Sequence, residues 1–144
     1  MARTADPLTS EVIELMSGLV SAFHRDYEAA SAAHALTAAQ AKVLSLLARE
    51  PQPMRRIADR MSCEPSNVTG IVDRLEARGY VERTPDNRDR RVKLVRVTPE
   101  GRRAAEDLRD ALGFAREPLA ALSPAEREQL RDLLERMLDA ARPA

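Results

Sequence analysis

The sequence contains few of the residues on which enzymes, metal sites and disulfide-bonded proteins depend. It has one cysteine, so no disulfide can form within the chain. Its two histidines, His24 and His34, lack a supporting cluster of cysteines or carboxylates. A glycine-rich phosphate loop, a nucleophile elbow and a clustered His/Asp/Glu set are also missing. We therefore expect no enzymatic activity, no metal and no cofactor.

Long apolar runs are missing as well. A membrane-spanning helix needs about 20 consecutive apolar residues, and the sequence has no such stretch and no signal-peptide pattern. These absences predict a cytoplasmic protein that does not enter a membrane. The 144 residues fit a single domain, which at this length buries about 68–70% of its unfolded surface.

Lysine is scarce, so arginine provides nearly all of the positive charge. The formal net charge of +0 argues at first against binding to nucleic acid, but the charges are unevenly distributed. Residues 51–103 contain 13 Lys+Arg against 8 Asp+Glu, whereas residues 1–50 contain 4 against 6 and residues 104–144 contain 6 against 9. The middle of the chain is thus basic between two acidic flanks, and such a local surplus favours contact with phosphate.

The start of the basic region predicts a short amphipathic helix. Apolar residues recur at the spacing of one helical face: Val68, Ile71, Val72 and Leu75. Pro65 suits the first helical position, and Gly79 suits a helix stop. The opposite face carries small or hydrogen-bonding residues: Ser66, Thr69, Gly70, Asp73 and Arg74. Small side chains allow a helix backbone to approach base edges, although an ordinary surface helix would show the same pattern.

A β-hairpin with a basic tip is predicted directly after this helix. Residues 80–83 and 92–97 are β-prone and flank a polar turn, TPDNRDRR. The tip carries Arg88, Arg90 and Arg91, with Asp86 and Asp89 between them. We expect Asp89 to hold one guanidinium in a fixed orientation, because an ordered arginine on a slim projection suits the minor groove of DNA. The alternative is a solvated, charged hairpin tip.

The remaining chain predicts helices over residues 8–33, 37–49, 54–61, 99–117 and 123–141. Capping boxes are expected at Thr37 with Gln40 and at Ser123 with Glu126. Pro51 and Pro53 predict a stiff break, and Pro118 is expected to end or bend the fourth of these helices. Apolar stripes are predicted on the first helix (Leu8, Val12, Leu15, Met16, Leu19, Phe23), on the fourth (Ala104, Leu108, Leu112, Ala115) and on the last (Leu130, Leu133, Leu134, Met137, Leu138, Ala141).

Over residues 36–101 the sequence resembles the MarR family of bacterial winged helix-turn-helix regulators. The matching segments are LTAAQ (36–40), IADRM (57–61), PSNVT (65–69), VDRLEARGYV (72–81), DNRDRR (86–91) and TPEG (98–101). The resemblance implies a mostly α fold with a small β hairpin, in which a winged helix-turn-helix DNA-binding core is flanked by N- and C-terminal dimerisation helices. Residues 1–144 would form a single domain, with DNA binding by residues 36–98 and dimerisation by residues 1–35 and 99–144.

This interpretation gives a role to each candidate DNA-binding residue. Pro65, Ser66, Asn67, Thr69 and Gly70 would present the helix to the bases, and Arg74 would contact phosphate or a base edge. The remaining arginines, Arg55, Arg56, Arg88 and Arg90, would contact the backbone or the minor groove, and Asp89 would orient Arg88 or Arg90. Asp73, acidic on the same face, is expected to pair with an arginine. The homodimer would read a pseudo-palindrome in double-stranded DNA, with half-sites about 10 bp apart.

The family resemblance also implies a small-molecule effector. Relatives in the family bind aromatic or phenolic acids, and a cleft for such a molecule could be bounded by Phe23, His24, Tyr27, His34 and Gln40, with Val43 nearby. Packing of these residues on a dimer helix is the alternative. Two further alternatives stay open: a DNA-binding regulator or architectural protein without an effector, and a redox sensor acting through Cys63. Burial of Cys63 as a small hydrophobic residue is the favoured interpretation.

Overall fold

The structure, a computed structural model, describes residues 6–113 and 117–141 of the chain. Its elements are α1 (Pro7–Ala33), α2 (Ala38–Arg49), β1 (Gln52–Pro53), α3 (Met54–Met61), α4 (Pro65–Ala77), β2 (Val81–Pro85), β3 (Lys93–Val97), α5 (Pro99–Ala111), α6 (Glu117–Ala120) and α7 (Pro124–Ala141). Helices predominate beside one small antiparallel sheet, which confirms the predicted fold class. The chain divides into two compact units, Met1–Ala111 and Leu112–Ala144.

The core of the first unit lies where α2 meets α4, α5 and β3. Its large, fully buried apolar residues are Val43, Leu44, Leu47, Ile57, Val68, Val72, Leu75, Val81, Val95 and Leu108. Three of the four residues predicted to form the apolar stripe of α4 belong to this set, and the fourth, Ile71, is half-buried. Burial of this stripe fixes which face of α4 remains in solvent, because residues on opposite sides of a helix cannot both face the core.

The sheet has three strands in the order β1-β3-β2, not the two predicted. The hairpin pairs Val81 with Val97 and Pro85 with Lys93, as expected for antiparallel strands. The segment predicted as a stiff break instead pairs with β3, joining Gln52 to Val95 and Pro53 to Leu94. β1 was not predicted because its two residues are too few to show an alternating pattern. Pro53 is tolerated because β1 is an edge strand.

Helix starts agree with the predicted capping signals. The Thr37 hydroxyl accepts a hydrogen bond from the Gln40 N–H at 3.1 Å, and the Gln40 side chain accepts one from the Thr37 N–H at 3.1 Å. Ser123 and Glu126 make the same reciprocal pair, at 3.3 and 2.7 Å. At α5 the Thr98 hydroxyl accepts from the Gly101 N–H at 3.1 Å. Each cap satisfies backbone donors that the first turn of a helix leaves unpaired.

The helix predicted over residues 99–117 is shorter in the structure, and α5 ends at Ala111. Gly113 lies two residues after this end, and glycine costs about 1 kcal/mol relative to alanine inside a helix. Pro118, expected to end or bend this helix, instead lies within the separate α6. Of the predicted stripe, Ala104 and Leu108 are buried and Leu112 is half-buried, and Ala115 lies outside the described residues.

Two helices expose the apolar stripes that were predicted for them. On α1 the exposed fractions of Leu8, Leu15 and Leu19 are 68%, 63% and 52%, and Val12, Met16 and Phe23 are also exposed. On α7, in the second unit, the exposed residues include Leu133, Leu134, Met137 and Leu138. These stripes do not belong to a membrane span, because none of the described helices is both long and apolar enough to cross a bilayer.

Candidate nucleic-acid interface

The solvent-facing side of α4 carries the side chains predicted to contact DNA. Pro65 occupies the first turn of the helix, and its neighbours Ser66, Asn67, Thr69 and Gly70 are all exposed. Arg74 lies further along the helix and is exposed too. The candidates on α4 therefore share one face, which the burial of Val68, Val72 and Leu75 holds away from the core.

Two residues on this face differ in what they can offer to a base. The Thr69 hydroxyl donates to the Pro65 carbonyl at 3.1 Å, so its hydrogen is used within the helix while its oxygen can still accept. Gly70 has open space around it, because an added Cβ would meet no atom within 4 Å. Packing inside this chain therefore does not require glycine at position 70.

An ion-pair network joins α4 to the start of the hairpin. The Arg83 guanidinium pairs with Asp73 at 2.5 Å and also with Glu76, which confirms that Asp73 pairs with an arginine. Neither Arg83 nor Glu76 was predicted from the sequence. Val81 and Arg83 lie on the same face of β2, and Val81 is buried. An arginine on that inward face needs carboxylate partners, and this signal could have revealed the network.

The hairpin tip, residues 86–91, is organised through its backbone. The Asp86 carboxylate accepts from the Arg88 N–H at 3.1 Å, and the Asp89 carboxylate accepts from the Arg91 N–H at 3.0 Å. The prediction that Asp89 holds a guanidinium was therefore wrong about its partner. Aspartate side chains readily bond a backbone N–H two residues later, which stabilises a turn.

All three arginines of the tip are exposed to solvent: Arg88, Arg90 and Arg91. The backbone on either side is closed by hydrogen bonds from the Asp86 N–H to the Val92 carbonyl at 2.8 Å and from the Val92 N–H to the Asp89 carbonyl at 2.9 Å. The tip thus presents cationic side chains on an ordered main-chain loop.

Helix α3 adds two exposed cations, Arg55 and Arg56, near its first turn. Arg56 lies 3.7 Å from the Glu50 carboxylate, and both side chains are more than half exposed, so solvent screens this pair. Ile57 is buried and Met61 is half-buried on the opposite side. The burial of Ile57 keeps both arginines in solvent.

Several of the residues predicted to bound an effector cleft have contacts within the chain. The Phe23 and Tyr27 rings are 5.8 Å apart. Gln40 is engaged in its capping box and Val43 lies in the core. The exposed His24 ring lies 3.7 Å from the Glu28 carboxylate, and the His34 ring nitrogen lies 2.9 Å from the Ala30 carbonyl.

A cavity of about 220 Å³ does lie beside one of these residues, Tyr27. Its lining comes from α1, α2 and α3: Tyr27, Lys42, Ser45, Leu46, Arg49, Arg60 and Met61. The Tyr27 hydroxyl lies 3.4 Å from the Ser45 hydroxyl. Burial raises the pKa of the Tyr27 phenol above its usual value, although the contact with Ser45 acts in the opposite direction. The phenol is therefore neutral at physiological pH.

Cys63 and the acidic side chains are the remaining candidates for a reactive or metal-binding site. Cys63 is half-buried, and its thiol donates to the Met61 carbonyl at 3.3 Å. Over residues 6–113 and 117–141, no group of three or more His, Cys, Asp or Glu side chains is placed to hold a metal ion.

Comparison with known proteins places this arrangement among transcriptional regulators. A sequence model of the MarR family matches residues 36–93. The chain is 33% identical over 106 residues to YkoM, an HTH-type transcriptional regulator of Bacillus subtilis, covering 72% of this chain and 68% of YkoM. It is 32% identical over 100 residues to the transcriptional repressor MdtR of the same organism, covering 69% and 64%.

Solved structures show the same fold. The structure of CouR from Rhodococcus jostii RHA1, bound to p-coumaroyl-CoA, matches with a TM-score of 0.79 and 29% identity, covering 92% of this chain and 95% of CouR. The apo form of MarR from E. coli matches with a TM-score of 0.71 and 26% identity, covering 94% and 99%.

Proposed function

Because this chain belongs to the MarR family of winged helix-turn-helix transcriptional regulators, we propose that it is a homodimeric repressor of a pseudo-palindromic operator, released by a small aromatic or phenolic effector. The observation that carries the proposal is the exposed polar face of α4 beside an ordered hairpin with arginines at its tip. We assign DNA contact to residues 36–98 and dimerisation to residues 1–35 and 99–144.

In this proposal α4 lies in the major groove. Ser66, Asn67 and Thr69 contact base edges, and the helix start at Pro65 brings them forward. Gly70 allows close approach, which agrees with the open space around it. The Arg74 guanidinium binds a phosphate or a base edge, since arginine presents donors to both.

The cations outside α4 bind the DNA backbone and the minor groove. Arg55 and Arg56 are near the start of α3, where exposed guanidinium groups suit phosphates. Arg88 and Arg90 enter the minor groove or contact the backbone beside it, where the negative potential attracts arginine. Asp89 supports them by closing the turn through the Arg91 N–H.

The exposed apolar stripes of α1 and α7 support dimerisation, because exposed patches of this kind mark interaction surfaces. A two-fold dimer presents two identical copies of α4, so the operator repeats with half-sites about 10 bp apart. A second copy of this chain is the simplest partner, since the same surfaces then cover each other.

An effector is supported by the cavity beside Tyr27 and by the ligand of CouR, p-coumaroyl-CoA, which contains a phenolic acyl group. Release from DNA requires that the effector bind the form unable to contact DNA more tightly than the form that can. A regulator without an effector is the alternative. Thermal-shift and operator-release screens with phenolic acids and their thioesters would distinguish the two, because only a true effector acts in both.

A thiol switch at Cys63 is the second alternative. Its partial burial and its hydrogen bond to the Met61 carbonyl favour a structural role instead. Treatment of the folded protein with a thiol reagent is expected to modify Cys63 slowly and to leave DNA binding intact. Fast modification with loss of DNA binding would favour the redox alternative.

The DNA-binding proposal is tested at the hairpin tip. Arg90→Ala is expected to keep the dimer but to weaken operator binding by about tenfold or more, because a minor-groove contact is lost. Arg103→Ala, which removes an exposed arginine from α5, is the matched control and should bind normally. The measurement is fluorescence anisotropy with operator DNA selected from a random pool.

The same assay over a range of salt concentrations tests the role of the arginines. Affinity should fall steeply as salt rises, because each neutralised phosphate releases counterions. Unchanged affinity in Arg90→Ala would remove the hairpin tip from the interface. A flat salt dependence would contradict the phosphate contacts.

A further inference from the structure

The turn after α1 adopts a conformation that alanine disfavours. Ala35 follows the end of α1 with φ 53°, in the left-handed region. Its N–H donates to the Ala32 carbonyl at 2.9 Å, and the Leu36 N–H donates to the Ser31 carbonyl at 2.9 Å. Two such bonds are typical of helix ends at which glycine takes the left-handed position, since the Cβ of other residues approaches a backbone carbonyl there. Alanine at position 35 therefore needs support from elsewhere in the chain.

Arg78, at the end of α4, supplies this support. It is the C-cap residue of α4. Its guanidinium donates to the Ala35 carbonyl at 2.5 Å and to the His34 carbonyl at 3.3 Å. Carbonyls at the end of a helix lack donors within that helix, and a guanidinium presents several donors in one plane. Arg78 thus holds the turn after α1 by two hydrogen bonds from the end of α4.

Tyr80 holds the Arg78 guanidinium in place. The guanidinium carbon lies 4.8 Å from the centre of the Tyr80 ring, and the guanidinium also donates to the Tyr80 hydroxyl at 3.1 Å. The Tyr80 backbone is fixed in turn, because its carbonyl accepts from the Thr98 N–H at 3.0 Å and its N–H donates to the Leu75 carbonyl at 2.9 Å. We call the four residues that meet here the Arg78 cluster: His34, Ala35, Arg78 and Tyr80.

The Arg78 cluster links two helices that share little direct packing. Helix α1 packs on α2 and α5, whereas α4 packs on α2, α3 and β2. Arg78 is exposed, yet its guanidinium makes three hydrogen bonds within its own chain. A guanidinium used in this way has fewer donors left for phosphate. Its surroundings therefore favour a link between helices over a contact with DNA.

We propose that Arg78 is a positioning residue for operator binding, which fixes the direction of α4 relative to α1 without contacting DNA. This inference rests on the proposed function, in which α1 forms the dimer surface and two copies of α4 meet the operator. Without the bonds of Arg78, only a fraction of the dimers would hold both copies of α4 at the spacing of the half-sites. The apparent affinity then falls by that fraction, whereas the contacts in the bound complex remain the same.

Operator binding of Arg78→Gln, measured by fluorescence anisotropy over a range of salt concentrations, tests the proposal. Affinity should fall by about fivefold or more. The slope of log affinity against log salt should equal that of the wild type, because the slope counts the phosphate contacts in the complex. Arg55→Gln, at a proposed phosphate contact, should instead make the slope shallower by about 0.9. Arg103→Gln, which removes an exposed charge from α5, should bind like the wild type.

Two further substitutions separate positioning from charge and from stability. Arg78→Lys keeps the charge but not the planar group that stacks on Tyr80, so it should bind the operator more weakly than the wild type. Ala35→Gly should stabilise the turn, because glycine accepts the left-handed conformation. The double variant Ala35→Gly, Arg78→Gln should therefore regain the urea unfolding midpoint of the wild type and still bind the operator weakly.

Three results would overturn the proposal. Wild-type affinity in Arg78→Gln or Arg78→Lys would show that the bonds of Arg78 do not matter for DNA binding. A slope shallower by about 0.9 in Arg78→Gln would assign Arg78 to a phosphate contact. Wild-type affinity in the double variant would limit Arg78 to the stability of the turn. A wild-type protein that selects no operator from a random pool would refute the proposed function itself, whereas normal selection with any of these three results would refute only the role of Arg78.

Discussion

Gly101 and Gly70 show how differently two helical glycines are used in this chain. An alanine Cβ at position 101 would overlap the backbone carbonyl of Tyr80, whereas one at position 70 would meet no atom within 4 Å. Gly101 is therefore required where α5 crosses the start of the hairpin. Gly70 serves no packing inside this chain, which is consistent with a role toward an external surface.

Substitution of the two glycines by alanine should change stability in opposite directions. Gly101→Ala is expected to lower the free energy of unfolding by about 2 kcal/mol or more, because a backbone clash forces α5 to shift. Gly70→Ala is expected to raise it by up to about 1 kcal/mol, since alanine favours the helix, and yet to weaken operator binding. Urea unfolding and anisotropy provide the measurements. A Gly101→Ala protein as stable as the wild type would show that the contact is not tight.

A pH effect is expected at the start of α7. The hydrogen bonds from Ser123 to the Glu126 carboxylate lower its pKa below the usual 4.5. Because its pKa is lower in the folded state, the Glu126 carboxylate contributes fully to the free energy of unfolding at pH values above its unfolded-state pKa. This contribution is lost as pH falls through its folded-state pKa. NMR titration of this carboxyl group should give a pKa below 4.5. Glu126→Gln keeps an acceptor that does not titrate, so it should lose less stability than the wild type between about pH 7 and pH 3.

Roles of single residues were predictable where one local interaction decides them. The partner of Asp73 was expected to be an arginine because an acidic group beside phosphates needs one, and Arg83 fulfils this role. The partner of Asp89 was predicted wrongly, because its carboxylate accepts from the Arg91 N–H instead of a guanidinium. A backbone N–H two residues away is already close to the carboxylate, whereas a guanidinium must be brought there by ordering a flexible side chain. Sequence distance alone does not show which of the two prevails.

At the scale of elements, α4 and β2 act as one piece because Arg83 bridges them. Arg83 is only 24% exposed, and it pairs with Asp73 and Glu76 on α4, beside the exposed polar side that we propose to contact DNA. The bridge therefore has two effects. It orients the hairpin relative to the helix, and it offsets one of the two negative charges that would otherwise repel phosphates.

Arg83→Gln should separate these effects. The expected loss of stability is about 1 kcal/mol, since both carboxylates are substantially exposed and screened. Operator binding should weaken by about tenfold or more, because two uncompensated negative charges then face the DNA. Arg103→Gln breaks a surface ion pair with Glu100 and serves as the control. Equal small losses in both variants would mean that Arg83 has no special role at the interface.

The bounds of α1 and α3 were predicted well from the sequence, whereas β1 was missed and α5 was predicted too long. α3 was predicted at its observed bounds, and α1 differs by one residue. β1 was missed because two residues carry no pattern, and its pairing with β3 depends on contacts distant in sequence. α5 was predicted too long because apolar spacing continues beyond Ala111, while the glycine at position 113 disfavours the helix.

At the scale of the whole molecule, α1 has an apolar surface that remains exposed to solvent. Tyr27, Ala30 and Ser31, near the C-terminal end of the helix, are buried within the first unit. Earlier in the same helix, Leu15 and Val20 are each 63% exposed. The exposed apolar residues form a stripe that continues along the helix from Leu8 to Phe23. Coverage by a second copy would complete the surface.

If the protein forms the proposed dimer through α1, Val20→Glu is expected to convert it into monomers. A two-fold interface contains the substitution twice, so two carboxylates would be brought into an apolar contact without partners. The dissociation constant should rise by about 100-fold or more, or roughly 2.8 kcal/mol, and operator binding should fall with it because both copies of α4 must engage. Arg25→Glu is the control, since about 100° per residue places position 25 on the opposite side of α1. Analytical ultracentrifugation would decide between the outcomes. If Val20→Glu sediments as a dimer, α1 does not form the interface, and the two copies of α4 must be held together by another surface.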